Sequence, residues 1–300
     1  MVDSIINCKN PLEAQVVLLA ANYDVTSSFG KGADKGPAAI KSCLDGQIEF
    51  YERGTRTSPT LERKIAYNDL GDLNNLSPEE MVDVVGKKFF EHYRRDKFVV
   101  TVGGEHSVSN GPFRYLAKKH NPEDVTLFQI DAHLDMRDTD ADYNDKPWGK
   151  YAHSCVMRRG AELGFRTVQV GIRASSKDEY EFAERLGSMV FRWGRGFNGR
   201  QIAIPDIDTI VNSIETARVY VTIDVDGFDP SHMPETGTPV QGGIEWWYGQ
   251  ELLRKVFEEK NVIATDVVEV APKFDPSLTA YGAAQLIYNM IAWKFAKERK

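Results

Sequence analysis

Two runs of alternating acidic residues carry the chemistry this chain can do. Asp131, His133 and Asp135 stand at i, i+2 and i+4, and Asp224 and Asp226 repeat the spacing. In extended backbone that alternation sends each set of side chains to one side. Carboxylates held so close repel one another unless protonated or neutralised, and burying one unpaired costs on the order of several kcal/mol. Bound cations resolve the conflict. With His106, from the run Gly103-Gly104-Glu105-His106, the candidates are four aspartates and two histidines, with no thiolate among them. That set is too large for one tetrahedral zinc and suits two cations bridged by shared carboxylates. Hard oxygen ligands mixed with imidazole favour manganese, with nickel, cobalt and iron also compatible. Two divalent cations offset the four aspartates, and a hydroxide between them leaves the centre close to a single negative charge, so a cationic substrate is preferred. Glu269 strengthens that preference.

Each run also has a plain reading. The first alone would fit a solvated loop or a hydrogen-bonded turn, but together with DVD and GGEH in one chain it argues for a site. Glu269 alone would fit a strand-end carboxylate paired with a nearby Arg or Lys, and His153 a satisfied polar histidine.

The candidates must be positioned by the elements around them. Short apolar runs rich in β-branched residues at 15–20, 97–102, 125–130, 167–170, 219–223 and 262–270 predict strands. Helical patterns at 77–95, 110–119, 177–186, 246–258 and 278–299 lie between and after them; Ser77 is placed to cap the first, with Pro78 at its first position. The alternation predicts a doubly wound α/β sheet of mainly parallel strands with helices on both faces. Four predicted strands end in or contain polar residues that do not belong in an apolar core: GGEH, DAHLD, DVD and Glu269. In open α/β sheets the ligand crevice lies outside the carboxyl ends of the strands, so these endings are expected to converge.

The remaining composition excludes other classes. At 300 residues, 42% hydrophobic and 27% charged, the chain reads as one globular domain spanning 1–300. A net charge of -7 offers no basic stripe for nucleic acid. Neither a signal peptide nor a membrane span is discernible, which predicts a cytoplasmic protein. Cys8, Cys43 and Cys155 match neither a disulfide framework nor a metal motif and are expected to be reduced thiols. The glycine-rich stretch 29–37 lacks the spacing of a phosphate loop and is expected to form a structural or substrate-rim loop, while the glycines at 193–199 and 242–243 are expected to mark turns.

GGEHS at 103–107, DAHLD at 131–135 and TIDVDGFDP at 222–230 followed by TGTP at 236–239 resemble the ureohydrolases, the arginase and agmatinase family. The likeness runs from the glycine-rich stretch to VVEVAP at 267–272. It implies a three-layer α/β/α arginase-type fold, two Mn2+ per subunit and a homo-oligomer, a trimer or hexamer. By this resemblance His106, Asp131, Asp135 and Asp224 hold the first ion, and Asp131, His133, Asp224 and Asp226 the second. Hydroxide made available by the metals would attack the guanidinium carbon, with Asp135 relaying a proton to the leaving amine. His153 resembles the family's proton-shuttling histidine and Glu269 the glutamate that grips the guanidinium, with Thr238 a polar neighbour.

The segment 135–160, which leads through a long loop to His153 and then Arg158-Arg159, resembles agmatinases rather than arginases. The implied reaction is agmatine to putrescine and urea. N1-aminopropylagmatine, guanidinobutyrate, arginine and formiminoglutamate are alternatives, the last needing a cation such as Arg137, Arg158 or Arg159 for its acidic end. A non-catalytic homologue is the reading from outside the enzymes, and the complete ligand set argues against it. One residue departs from the pattern: Glu235 stands where the family usually has glycine or another small residue. At the rim it would favour a longer, polyamine-like tail, unless it simply faces solvent. Trp246 and Trp247 are candidates for the cleft entrance or for packing.

Overall fold

A computed structural model describes residues 4–194, 200 and 202–296. Among the described residues eight strands form one sheet: β1 (Val16–Asn22), β2 (Ile65–Asp72), β3 (Phe98–Gly103), β4 (Val125–Ile130), β5 (Arg166–Ile172), β6 (Met189–Arg192), β7 (Arg218–Asp224) and β8 (Val262–Val268). Their order is β2-β1-β3-β8-β7-β4-β5-β6, and every neighbouring pair is parallel. All six predicted strands form, within two residues of their expected ends. The two that sequence periodicity missed, β2 and β6, are the sheet's outer strands. There one side of the strand faces solvent and the apolar run that marks an interior strand is absent.

β3 and β4 are buried along their whole length, β1 along all but its last residue and β7 along all but its first. Helices Gly36–Leu44, Trp246–Glu259 and Leu278–Ala296 contribute to the core on one face. Helices Pro78–Tyr93, Asn110–Lys119 and Val156–Glu162 lie on the other, giving three layers. Ser77 closes the capping box that sequence patterning suggests, accepting from the Glu80 amide while the Glu80 carboxylate accepts from the Ser77 amide. Leu278–Ala296 is buried on most of its circumference because it sits between two other helices and the sheet. Its expected last turn, 297–299, and most of the glycine cluster 193–199 lie outside the described residues. Among the described residues no helix is long and apolar enough to cross a membrane. The cysteines are free, Cys43 and Cys155 buried and Cys8 partly so.

The four strands predicted to end in polar residues, β3, β8, β7 and β4, are consecutive in the sheet. The turn after β3 is locked to its neighbours by Gly104, whose amide donates to the Ala21 carbonyl and whose carbonyl accepts from the Glu269 amide, both at 2.8 Å. A Cβ there would lie 1.9 Å from the Tyr23 carbonyl oxygen, so no other residue fits without moving β1 from β3. Gly104→Ala should therefore cost at least about 2 kcal/mol of stability, at the upper side of overpacking changes. Denaturant unfolding of the metal-free protein reads this directly, and a wild-type midpoint would show the contact to be soft.

Candidate metal centre and active site

The sheet brings all six expected ligands together at its carboxyl edge. His106 Nδ1 lies 3.0 Å from Asp135 Oδ2, 3.3 Å from Asp131 Oδ2 and 3.5 Å from Asp224 Oδ2. His133 Nδ1 lies 3.0 Å from Asp226 Oδ2 and 3.6 Å from Asp131 Oδ1. Asp131 thus turns one oxygen to each histidine, the arrangement a bridging carboxylate requires. Two groups of potential ligands result, His106 with Asp131 and Asp135, and Asp131 with His133 and Asp226, the ligand atoms of each within 4.8 Å of one another. Asp224 sits on the His106 side, with its other oxygen accepting the Asp226 amide at 2.9 Å.

Local backbone holds these side chains. The Asp131 Oδ1 accepts the His133 amide at 2.6 Å, and the Ala132 amide donates to Asp226 Oδ1 at 3.0 Å, stitching the β4 and β7 endings together. Asp135 and Glu269 both adopt left-handed backbone, φ +53° and +66°, an uncommon state for residues with a Cβ that clusters at functional sites. The Asp135 carbonyl accepts the Met157 and Arg158 amides, which ties the strained residue to the helix Val156–Glu162.

The protonation states show why this cluster needs cations. Burial and the neighbouring Asp131 push Asp135 up to about 6. Burial, then Asp226 and Asp131, drive Asp224 well above the carboxylate range. Burial acts the same way on Asp131 but is outweighed by His106 and His133, which hold it low. Four ionised aspartates are therefore not self-sufficient here. His106 supplies a second sign of fit. Its Nε2 is 2.9 Å from Thr222 Oγ1, and that hydroxyl donates its one proton to Asp266 Oδ1 at 2.6 Å. Nε2 must then carry a proton, so the buried Nδ1, 3.0–3.5 Å from three carboxylate oxygens, is the position where a cation is bound. Burial opposes charge on the ring, but Asp131, Asp135 and Asp224 favour a second proton there in the metal-free chain, and with a metal ion in its place Nδ1 presents a lone pair. A lone pair facing carboxylate oxygens is a cation's place.

A cleft of about 360 Å³ opens onto this centre, lined by His133, Asp135, Asp224, Thr238 and His153 on the inner side and by Ser28, Arg137, Tyr143, Ser154, Ser175, Ser176 and Glu179 further out. Thr238 Oγ1 donates to Asp226 Oδ2 at 3.3 Å. His153 Nδ1 is 3.3 Å from Glu269 Oε1, which also accepts the His106 amide at 2.9 Å. Glu269 is only 3% exposed and stands behind His153 rather than on the cleft wall. On the other ring nitrogen, Ser28 offers its amide at 3.3 Å and its hydroxyl at 3.1 Å, so the neutral and the protonated ring each find a matching partner. Of the glycine-rich stretch 29–37 the structure supports the structural role: Asp24 gathers its Gly32 and Ala33 amides, while the residue that touches the site is Ser28, just before it.

Sequence reading passed over several residues. Glu105, fully buried, accepts from the Thr26 hydroxyl at 2.7 Å and the Ser107 amide and hydroxyl at 2.8 Å, and Thr26 in turn receives the His153 amide at 3.0 Å. Gln129 donates to Asp131 Oδ2 at 2.6 Å. For Gln129, Thr222 and Asp266 the available signal was a polar residue inside an apolar strand run.

Glu235 requires a correction. It is not at the rim and does not face solvent: it is 1% exposed, and its carboxylate accepts from the Lys273, Phe274 and Thr279 amides and the Ser277 hydroxyl at 2.7–3.1 Å. Burial alone would raise its pKa, but these donors hold it below the usual value. Glu235 therefore folds the loop that follows Glu269, and it contributes no charge to the substrate path. Trp246 packs on Phe228, and the exposed Trp247 lies outside the cleft.

Two outcomes follow from this geometry. Glu235→Ala strands the buried Thr279 amide and Ser277 hydroxyl and frees two part-buried amides, and should cost about 2 kcal/mol in thermal unfolding, whereas Glu235→Gln should leave the preference between long and short amine substrates unchanged. Burial opposes charge on His153, yet Glu269, Glu105 and Asp135 raise it to about 8. Since that exceeds the ordinary value of 6.5, the ion pair stabilises the fold fully below about pH 6.5 and loses its contribution as pH rises through about 8. NMR titration of metal-free protein should show this value, and Glu269→Gln should lower it; an unmoved titration would remove Glu269 as the cause.

Comparison with known proteins agrees with the site. A family model described as "Arginase family" matches residues 14–292. An N(1)-aminopropylagmatine ureohydrolase of Synechocystis sp. is 35% identical, over 96% of this chain and 92% of that protein. An agmatinase of Bacillus subtilis is 32% identical over 93% and 91%. The crystal structure of the agmatine ureohydrolase of Thermoplasma volcanium superposes with a TM-score of 0.83 at 27% identity, covering 100% of this chain and 96% of that one. With the expected sheet, the clustered aspartates and these relatives in agreement, the chain belongs to the arginase family and is a ureohydrolase, a hydrolase of linear amidine C–N bonds.

Proposed function

We propose that the chain cleaves the guanidinium of a linear amine to urea and the free amine, with agmatine to putrescine as the basic reaction and two Mn2+ held by His106, Asp131, His133, Asp135, Asp224 and Asp226. The observation that carries this reading is the pair of His/Asp groups sharing Asp131 at the floor of an open cleft. When bound, the metal pair supplies an activated water near neutral pH. Asp135, on the cleft wall beside His106, is placed to accept a proton from the attacking water and pass it to the leaving amine. His153, kept charged by Glu269, holds a further proton on the inner cleft wall and exchanges it across Ser28. Glu269, buried behind His153, is proposed to act on the guanidinium end through His153 and would grip it directly only where His153 gives way, and Thr238 steadies Asp226.

The outer cleft favours a cationic tail. The three arginines that could receive an acidic end are all engaged by carboxylates: Arg137 with Asp142 and Glu179, Arg158 with Glu162 and Asp138, and Arg159 with Asp138 and Glu162. This speaks against formiminoglutamate, guanidinobutyrate and arginine. A second reading, N1-aminopropylagmatine, is supported by the names of several relatives at 31–35% identity. Urea release from manganese-loaded protein should be found with agmatine or its aminopropyl derivative and be at least about 100-fold weaker, in kcat/KM, with the acid-ended substrates, as expected when a charge is buried unpaired. The ratio between the two amines decides between the readings, and no urea from any of them would sink both. Glu269→Gln should lower kcat/KM while two ions stay bound.

A further inference from the structure

One register line of the sheet is polar across five strands. Thr101 of β3 pairs with Asp266 of β8, Asp266 with Thr222 of β7, Thr222 with Gln129 of β4, and Gln129 with Gln169 of β5. All five are fully buried. Such a row is costly in an apolar sheet unless its hydrogen bonds do something that aliphatic residues would not.

Its bonds run upward into the metal centre from two sides. From β5, the Gln169 amide donates to Gln129 Oε1 and to the Leu134 carbonyl. With its oxygen committed, Gln129 can only turn its NH2 toward Asp131, and it donates to Asp131 Oδ2 at 2.6 Å. From β8, Asp266 accepts from the Tyr220 hydroxyl at 2.8 Å and from Thr222 at 2.6 Å, which leaves Thr222 able only to accept from His106 Nε2. The row therefore dictates donor and acceptor roles at two ligands on different loops. It pins the oxygen of Asp131 that faces His106, and it fixes the tautomer that exposes His106 Nδ1.

We propose that this in-register row is a positioning device for the metal centre, with Gln129 and Thr222 as the positioning residues and Gln169 and Asp266 as their orienters. The inference rests on the two-metal reading above. Neither residue touches the cleft, so the effect on substrate is indirect, through the ligands' readiness for a cation.

The test is Mn2+ binding by the full-length, metal-stripped chain, measured by competition with a chromophoric chelator. Thr222→Val and Gln129→Met should each weaken binding by about 10- to 100-fold, and Thr222→Ser, which keeps the hydroxyl, should restore it. Gln169→Met contacts no ligand; it should weaken binding about threefold or more in the wild-type background and have no further effect with Gln129→Met, as coupled residues do. The single Gln169→Met measurement holds even if one of the direct variants folds poorly. Wild-type protein that takes up no Mn2+ would bring down the metal reading and the inference together. Two ions bound by wild-type, with unchanged affinity in Thr222→Val and Gln129→Met, would overturn the inference alone, even if the metal-free melting temperature fell.

Discussion

The rest of the structure depends on the mutual repulsion of Asp131, Asp135, Asp224 and Asp226 in a nearly water-free pocket. Each is at most 6% exposed, and burial together with like charge drives Asp135 and Asp224 toward the neutral form. Such a cluster persists in a folded chain only if something holds the side chains against that repulsion and cations finish the neutralisation. The left-handed backbone at Asp135, the cross-stitch from Ala132 to Asp226 and the polar row beneath are the means by which the protein supplies the first condition. The ligand set supplies the second.

Charge is arranged with the same logic outward from the centre. His153 is the first group beyond the ligands whose charge is favoured, because Glu269 and Glu105 lie behind it. Glu105 does two things at once: it contributes a field, and by binding Thr26 it fixes the loop whose hydroxyl receives the His153 amide. Further out, Arg137 is balanced by Asp142 and Glu179 and adds a cation–π contact to Tyr143, so the wall it belongs to has no spare positive charge for an acidic substrate.

Two residues show how burial changes the meaning of a carboxylate. Glu235 and Glu269 are both nearly inaccessible acids at the same end of the sheet. Glu235 is satisfied by backbone amides and a serine, so its charge is used up in folding a loop. Glu269 meets an amide and a titratable imidazole, and its charge stays available to act on chemistry through His153. Nothing in residue type or spacing separates the two cases, since both depend on which donors the folded chain brings within reach.

The sequence by itself determined the chemistry and the class of fold. The i, i+2, i+4 spacing of Asp131, His133 and Asp135 and its echo at Asp224 and Asp226 are local, and strand geometry alone puts each set on one side. The β-branched runs of the interior strands are local as well, which is why those six were legible and the half-exposed edges β2 and β6 were not. Tertiary structure decided everything that required a partner far along the chain. It set β3, β8, β7 and β4 side by side, buried Glu235 in the loop before Leu278–Ala296, and put Glu269 behind His153. It also lined up Gln169, Gln129, Thr222, Asp266 and Thr101, one polar residue from each of five strands, into one row. Register between strands distant in sequence is a property of the whole sheet, and it turns five unremarkable polar residues into the floor of a metal centre.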